Sequence, residues 1–149
     1  MSKQSIRTHR PVHAESHFSP AVSIEARGKL VFISGMTARQ PDGRLAGVGD
    51  VAEQTRQVCE NIKAAVEAAG GKLEDVCQVQ VYLRHISDRE RVNDVRRRYF
   101  GSPPPASTLV EVSKLASPEF LVEISSELSV FGSRLHPQTE FYGQRQRCP

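Results

Sequence analysis

The chain alternates between stretches with a helical repeat and stretches with a strand repeat. Between residues 50 and 70, Val51, Thr55, Val58, Ile62, Ala65 and Ala69 recur every three or four positions. That spacing places them on one face of a helix. Asp50 stands at the N-cap with Glu53 three residues on, a capping-box pattern, and Gly70–Gly71 supply the stop. "VCQVQVYLR" (76–84) alternates instead, with Cys77, Val79, Val81 and Leu83 facing one way and Gln78, Gln80, Tyr82 and Arg84 the other. Ser87 and Glu90 form a second capping pattern. The helix they open runs to about Phe100, burying Val92, Val95 and Tyr99, and ends at Gly101 and three prolines.

Two further strands follow, "STLVEVS" (107–113) and "LVEISSELSVF" (121–131), joined through the turn "SPEF" (117–120). In the second, Val122, Ile124, Leu128 and Val130 share a face with Ser126, while Leu121, Glu123, Ser125, Glu127, Ser129 and Phe131 share the other. Upstream, "AVSIEA" (21–26) predicts a short strand and "RG" (27–28) a turn. "KLVFISG" (29–35) is a stronger strand, its contiguous Val31, Phe32 and Ile33 matching a strand covered on both faces. Pro41, Asp42 and three glycines make 39–49 a loop.

The predicted order is β-β-α-β-α-β-β. Two helices are too few to cover both faces of such a sheet, so the simplest packing is an α+β layer with both helices on one side. The other face then carries Glu123, Ser125 and Glu127, and a carboxylate row there needs water, partners or a second subunit. Association of subunits through that face is the expectation. The 149 residues suggest one domain, read as 18–132. A loose polar arm (1–17) precedes it and a polar tail (133–149) follows, in which Phe141 and Tyr142 could anchor onto a neighbouring subunit.

Composition narrows the function. A net charge of +3, with Lys and Arg interspersed among Asp and Glu, gives no basic stripe for tracking phosphates. The densest cluster, "RRRY" at 96–99, reads as the solvated face of a helix. Cys59, Cys77 and Cys148 fit neither a zinc set nor a CxxC pair, and point to a reducing, cytoplasmic setting. His9, His13 and His17 recur every fourth residue, but Pro11 interrupts them, so solvated histidines are expected rather than a metal site. No apolar run is long enough to span a bilayer.

Five blocks bring a family into view: "HFSPAV" (17–22), "LVFISGM" (30–36), "EQTRQVCENIKAAVEAAGGKLEDV" (53–76), "VYLRHISDRERVNDVRRRYF" (81–100) and "LVEVSKLASPEFLVEIS" (109–125). In this order they resemble the Rid/YjgF family of reactive-intermediate deaminases, over about residues 18–132. The resemblance implies a chorismate-mutase-like α+β fold with a mixed sheet, assembled as a homotrimer with ligand clefts between subunits. It also implies hydrolysis of imines or enamines to a carbonyl compound and ammonia, with neither metal nor organic cofactor.

Residue by residue, the resemblance assigns Glu123 as the acid that places or activates water. It assigns Asn93 to the cleft lining and Ser34 and Gly35 to the pocket's backbone edge. It also exposes departures. Where deaminases of the family carry a substrate-binding arginine, this chain has Ser107, followed by Thr108. A frequent tyrosine becomes Phe18, a frequent cysteine Leu109 and a nearby glutamine Pro20. A hydroxyl cannot replace a guanidinium's bidentate grip on a carboxylate, a loss of about 2–5 kcal/mol where the partner is buried. The expected cleft is therefore less cationic, and its substrate larger or less anionic than an α-imino acid. Arg39, Arg84 and Arg89 are candidate displaced cations.

Each residue also has a plainer reading. Ser107 could simply start a strand, and no base is placed to make it a nucleophile. Asn93 could brace its helix. Glu127 is expected to be a solvated or salt-bridged seam residue, about 13 Å along the strand from Glu123. The expected function is a small-molecule imine or enamine hydrolase. The alternative is a trimeric binding or regulatory module without catalysis, with RNA cleavage a distant third.

Overall fold

The computed structural model describes residues 4–6, 18–19, 21–24 and 28–130. The histidines at 9, 13 and 17, Pro20, and the tail with Phe141 and Tyr142 lie outside them. The expected domain forms a four-stranded mixed sheet with two helices packed on one face.

The elements are β1 (Gln4–Ile6), β2 (Ala21–Ser23), β3 (Lys29–Met36), α1 (Val51–Ala68), β4 (Val76–Leu83), α2 (Arg89–Tyr99), β5 (Ala106–Glu111) and β6 (Val122–Val130). The main sheet runs β3-β6-β4-β5, antiparallel except for the parallel pair β4–β5. Helix α2 is the crossover that a parallel pair requires. β2 does not join this sheet: it pairs antiparallel with β1. Part of the expected loose arm is thus a strand, three residues too short to show a repeat.

Helix α1 follows its sequence signals closely. Asp50 caps it, accepting from the backbone N–H groups of Ala52 and Glu53. Glu53 does not reach back to complete a capping box but pairs with Arg56 at 2.6 Å. At the far end Gly70 N–H bonds to the Glu67 carbonyl and Gly71 N–H to that of Val66, both at 2.9 Å, with Gly70 at φ +87°. This is the paired closure that a left-handed glycine permits. The second capping pattern does not form. Ile86–Asp88 is a 3₁₀ turn instead, no side chain caps α2, and Glu90 pairs with Arg89.

The core lies between helices and sheet. Val58, Ile62 and Val66 of α1 and Val92 of α2 meet Val79, Val81 and Leu83 of β4 and Val122, Ile124 and Leu128 of β6. Strand β6 alternates buried and half-buried along its whole length, as predicted. In β4 the phase differs from prediction at one end. Val76 opposes Leu128 and Gln78 opposes Glu127, so Cys77 is the extra residue of a bulge, and it is Val76 that enters the core.

Strand β3 is covered on one face alone among the described residues. Ile33 is buried, but Leu30 is 52 % and Phe32 68 % exposed. Their faces follow the pairing: Phe32 sits opposite Glu127 and Leu30 opposite Ser129, on the side without helices.

Candidate functional site

The residues singled out from sequence fall on opposite faces of the sheet. Glu123 lies on the face without helices, opposite Tyr82. Beside it β3 bulges: Ile33 pairs with Ser126 and Met36 with Ile124, leaving Ser34 and Gly35 against the single residue Ser125. Bulges of this kind interrupt the ladder and re-aim backbone groups. The Glu123 carboxylate rests on that interruption. A Cβ at Gly35 would stand 1.9 Å from Glu123 Oε1, so the position of the acid requires glycine there. Glu123 is half-buried, and no described side chain or backbone group bonds its carboxylate.

The other cluster lies on the helix side. Ser107 and Leu109 of β5 oppose Val79 and Val81, and Leu109 packs against the core. Thr108, between them, faces the opposite way and is exposed. Asn93 stands on α2, half-buried, and accepts a hydrogen bond from Arg96 Nη1 at 3.1 Å. Phe18 is exposed but anchored by its neighbour: Ser19 donates through Oγ to the Pro104 carbonyl at 2.7 Å and through N–H to that of Pro105 at 3.2 Å. That tie sets Phe18 next to the approach to β5, two residues before Ser107.

A cation from α2 reaches Ser107 on β5. Arg96 Nη2 donates to Ser107 Oγ at 2.8 Å. Arg96 is 3 % exposed, so the reading of "RRRY" as a wholly solvated face is wrong at its first residue. A buried guanidinium therefore stands behind Ser107. None of the three arginines proposed from sequence bonds Ser107. Arg39 stacks over Phe120 at 5.1 Å and Arg89 pairs with Glu90. Arg84 donates to the backbone carbonyls of Val112 and Ser113. The missed signal was phase, because Arg96 follows Val92 by four residues and precedes Tyr99 by three, on the inward stripe.

Burial dominates the electrostatics around Arg96. It pushes the guanidinium down to about 10, which leaves it charged at neutral pH. It pushes the neighbouring Cys59 thiol of α1 up to about 12, against the opposing pull of Arg96. Tyr99 is also pushed up to about 12, by burial first and then by its 2.6 Å hydrogen bond to Glu60. Among the described residues the Ser107 hydroxyl therefore has a cation behind it and no base. A guanidinium cannot accept a proton, which removes the basis for a serine nucleophile here.

A family model described as "Endoribonuclease L-PSP" matches residues 8–127. A RutC family protein of Pyrococcus abyssi is 36 % identical over 126 residues, covering 85 % of this chain and 96 % of its own. The 3-aminoacrylate deaminase RutC of Acinetobacter baylyi is 36 % identical over 108 residues, covering 72 % and 85 %. Among solved structures, the Rid-family protein YyfB of Yersinia pestis superposes with a TM-score of 0.79 at 28 % identity, covering 87 % of this chain and 100 % of that one. RidA of an Antarctic Psychrobacter reaches a TM-score of 0.65 at 37 % identity, covering 85 % and 99 %. With fold, block order and overall likeness in agreement, the chain belongs to the Rid/YjgF family.

Proposed function

We propose that the protein is a deaminase-type hydrolase of small metabolites bearing an imine, an enamine or a related C–N bond. Water held by Glu123 adds to the carbon of the C=N bond. The resulting carbinolamine collapses, the C–N bond breaks, and ammonia leaves a carbonyl compound behind. Glu123 takes a proton from the attacking water and returns one to the departing nitrogen. Backbone N–H groups near Ser34–Gly35 and Ser107–Thr108 are the donors for developing charge. The observation that carries the reading is the carboxylate of Glu123, half-buried over Gly35 and free of described partners. The relative named as a 3-aminoacrylate deaminase supports the reaction class.

The two clusters occupy opposite faces of one sheet, so a single chain does not close a pocket around both. A homotrimer joined through the helix-free face would bring Glu123 of one subunit toward Ser107 and Asn93 of the next. The exposed Leu30 and Phe32 on that face support such a seam.

The test is ammonia release from imines formed in situ by amino-acid and amine oxidases. Wild-type protein should accelerate release, and Glu123→Gln should slow it by about 100-fold or more, the usual worth of an acid–base group. Gly35→Ala should also impair turnover, because it displaces the carboxylate without removing it. A Glu123→Gln variant as active as wild type sinks the mechanism. A second reading, a trimeric binding or regulatory module, is favoured by one observation: Ser107 stands where the family's deaminases carry arginine. Ligand protection against unfolding with no turnover would select it. RNA cleavage gains no support from "RRRY", since Arg96 is buried and Arg97 pairs with Asp94.

A further inference from the structure

Val95 is expected from its spacing to be buried with Val92 and Tyr99, yet it does not join the core. It is half-buried and stands apart from the cluster between helices and sheet. It lines a groove between α1 and α2 instead, with a cavity of about 420 Å³. Val95, Arg98 and Tyr99 form the α2 wall, three and four residues apart on one stripe. Ala52, Glu53 and Arg56 form the α1 wall, and Asp50 stands where α1 begins. Ala52 and Val95 are short side chains, so neither wall fills the space between the helices. A hollow of this size lies within the range of small-molecule sites. Glu123 lies on the sheet face without helices, so the groove is separate from the proposed hydrolytic site.

The charges along the groove leave one cation over. Asp50 caps α1 and accepts from Arg91 at 3.0 Å. Glu53 is held by Nε and Nη2 of Arg56 at 2.9 and 2.6 Å. Glu60, two turns along α1 from Glu53, accepts from the Tyr99 hydroxyl at 2.6 Å. Arg97 pairs with Asp94. Arg98 is exposed and meets no carboxylate among the described residues. Tyr99 adds no charge of its own, since burial and its bond to Glu60 push the phenol up to about 12. An unengaged guanidinium therefore stands beside an apolar-walled hollow, and its planar fork matches an oxyanion.

We infer that the groove between α1 and α2 is a second ligand site, which takes a small molecule with a flat apolar body and one anionic group. The body lies against Ala52, Val95 and the Tyr99 ring. The anion, a carboxylate or a phosphate ester, pairs with Arg98. Glu53 keeps Arg56 from the ligand and so limits the anion to one cationic partner. The site does not depend on the proposed C–N hydrolysis.

The test is an NMR titration of the full chain, read at the methyl groups of Ala52 and Val95, with those of Leu30 and Val110 as controls on the other sheet face. The probes are 3-phenylpropionate, its neutral amide, phenyl phosphate and inorganic phosphate. Wild type should bind 3-phenylpropionate about 3- to 5-fold more tightly than the amide, the worth of an exposed ion pair. That preference should shrink as salt is raised. Arg98→Gln should erase it while leaving the amide unchanged. Glu53→Gln, which frees Arg56, should strengthen binding of the acid and not of the amide. Val95→Trp, which fills the hollow, should abolish binding of both and leave ammonia release untouched. Preference for 3-phenylpropionate over phenyl phosphate, or the reverse, tells which anion the site takes, and either supports the proposal.

Equal binding of acid and amide by wild type overturns the proposal, as does the absence of a saturable shift up to about 10 mM. Shifts confined to Leu30 and Val110 overturn it by placing the probes elsewhere. A Val95→Trp variant that binds as wild type does also overturns it. Inorganic phosphate binding as tightly as phenyl phosphate overturns the apolar half of the assignment.

Discussion

Cys59 shows how much a single position can be governed by its surroundings. It is fully buried on α1 beside Arg96, and burial raises its thiol from an ordinary 9.0 to about 12. A raised folded-state value stabilises the protonated form. Its contribution is complete below pH 9 and is lost as pH climbs toward about 12. Tyr99, raised from 10.0 to about 12, acts in the same direction from about pH 10. Arg96, lowered from 12.5 to about 10, acts in the opposite direction, adding stability as pH rises from about 10 toward 12.5. Between pH 9 and 10 the raised Cys59 thiol acts before Tyr99 and Arg96 do, so the urea midpoint should fall across that unit. Cys59→Ala should flatten the fall, as a urea titration at half-unit steps of pH would show.

At the scale of elements, the fold depends on side chains that bond backbone rather than one another. Gln54 is the clearest. It is fully buried on α1, and its amide donates to the carbonyls of Gly47 and Glu119 and accepts from Leu121 N–H at 3.1, 2.9 and 2.8 Å. One side chain thereby ties the loop before α1 to the turn before β6, and sets where β6 begins and Glu123 falls. Gln54→Leu keeps the volume and strands three part-buried backbone groups at once. The expected loss is about 3 kcal/mol or more, read as a lowered denaturant midpoint with an unchanged slope. A loss under about 1 kcal/mol would mean that water or a relaxed loop replaces the amide.

At the scale of the molecule, one sheet face is covered and the other presents Leu30, Phe32 and Val110 beside Glu123 and Glu127. Burying a phenylalanine is worth about 1.5–3 kcal/mol. Three copies around a trimer axis would supply a large share of an association free energy. Phe32→Glu should therefore yield monomers by sedimentation, with the circular dichroism of a folded chain, and should abolish ligand binding and turnover together. If the variant still sediments as the wild type does, the seam lies elsewhere.

Periodicity along the chain was enough to determine both helices, the strands of the main sheet and the two faces of β6, because burial against one partner layer imposes a repeat on its residues. The same repeat placed Glu123 away from the helices. What the repeat could not convey was anything that depends on closing distances between segments far apart in sequence. Three residues of β1 carry no pattern, and their partner in β2 is identified only by pairing. The bulge at Ser34–Gly35 appears only in the register of β3 against β6, and the room for the Glu123 carboxylate follows from it. Arg96 was read with its charged neighbours as surface. Its place beneath Ser107 was decided by the crossing of α2 over β5, since a long cationic side chain takes the environment that packing leaves for it.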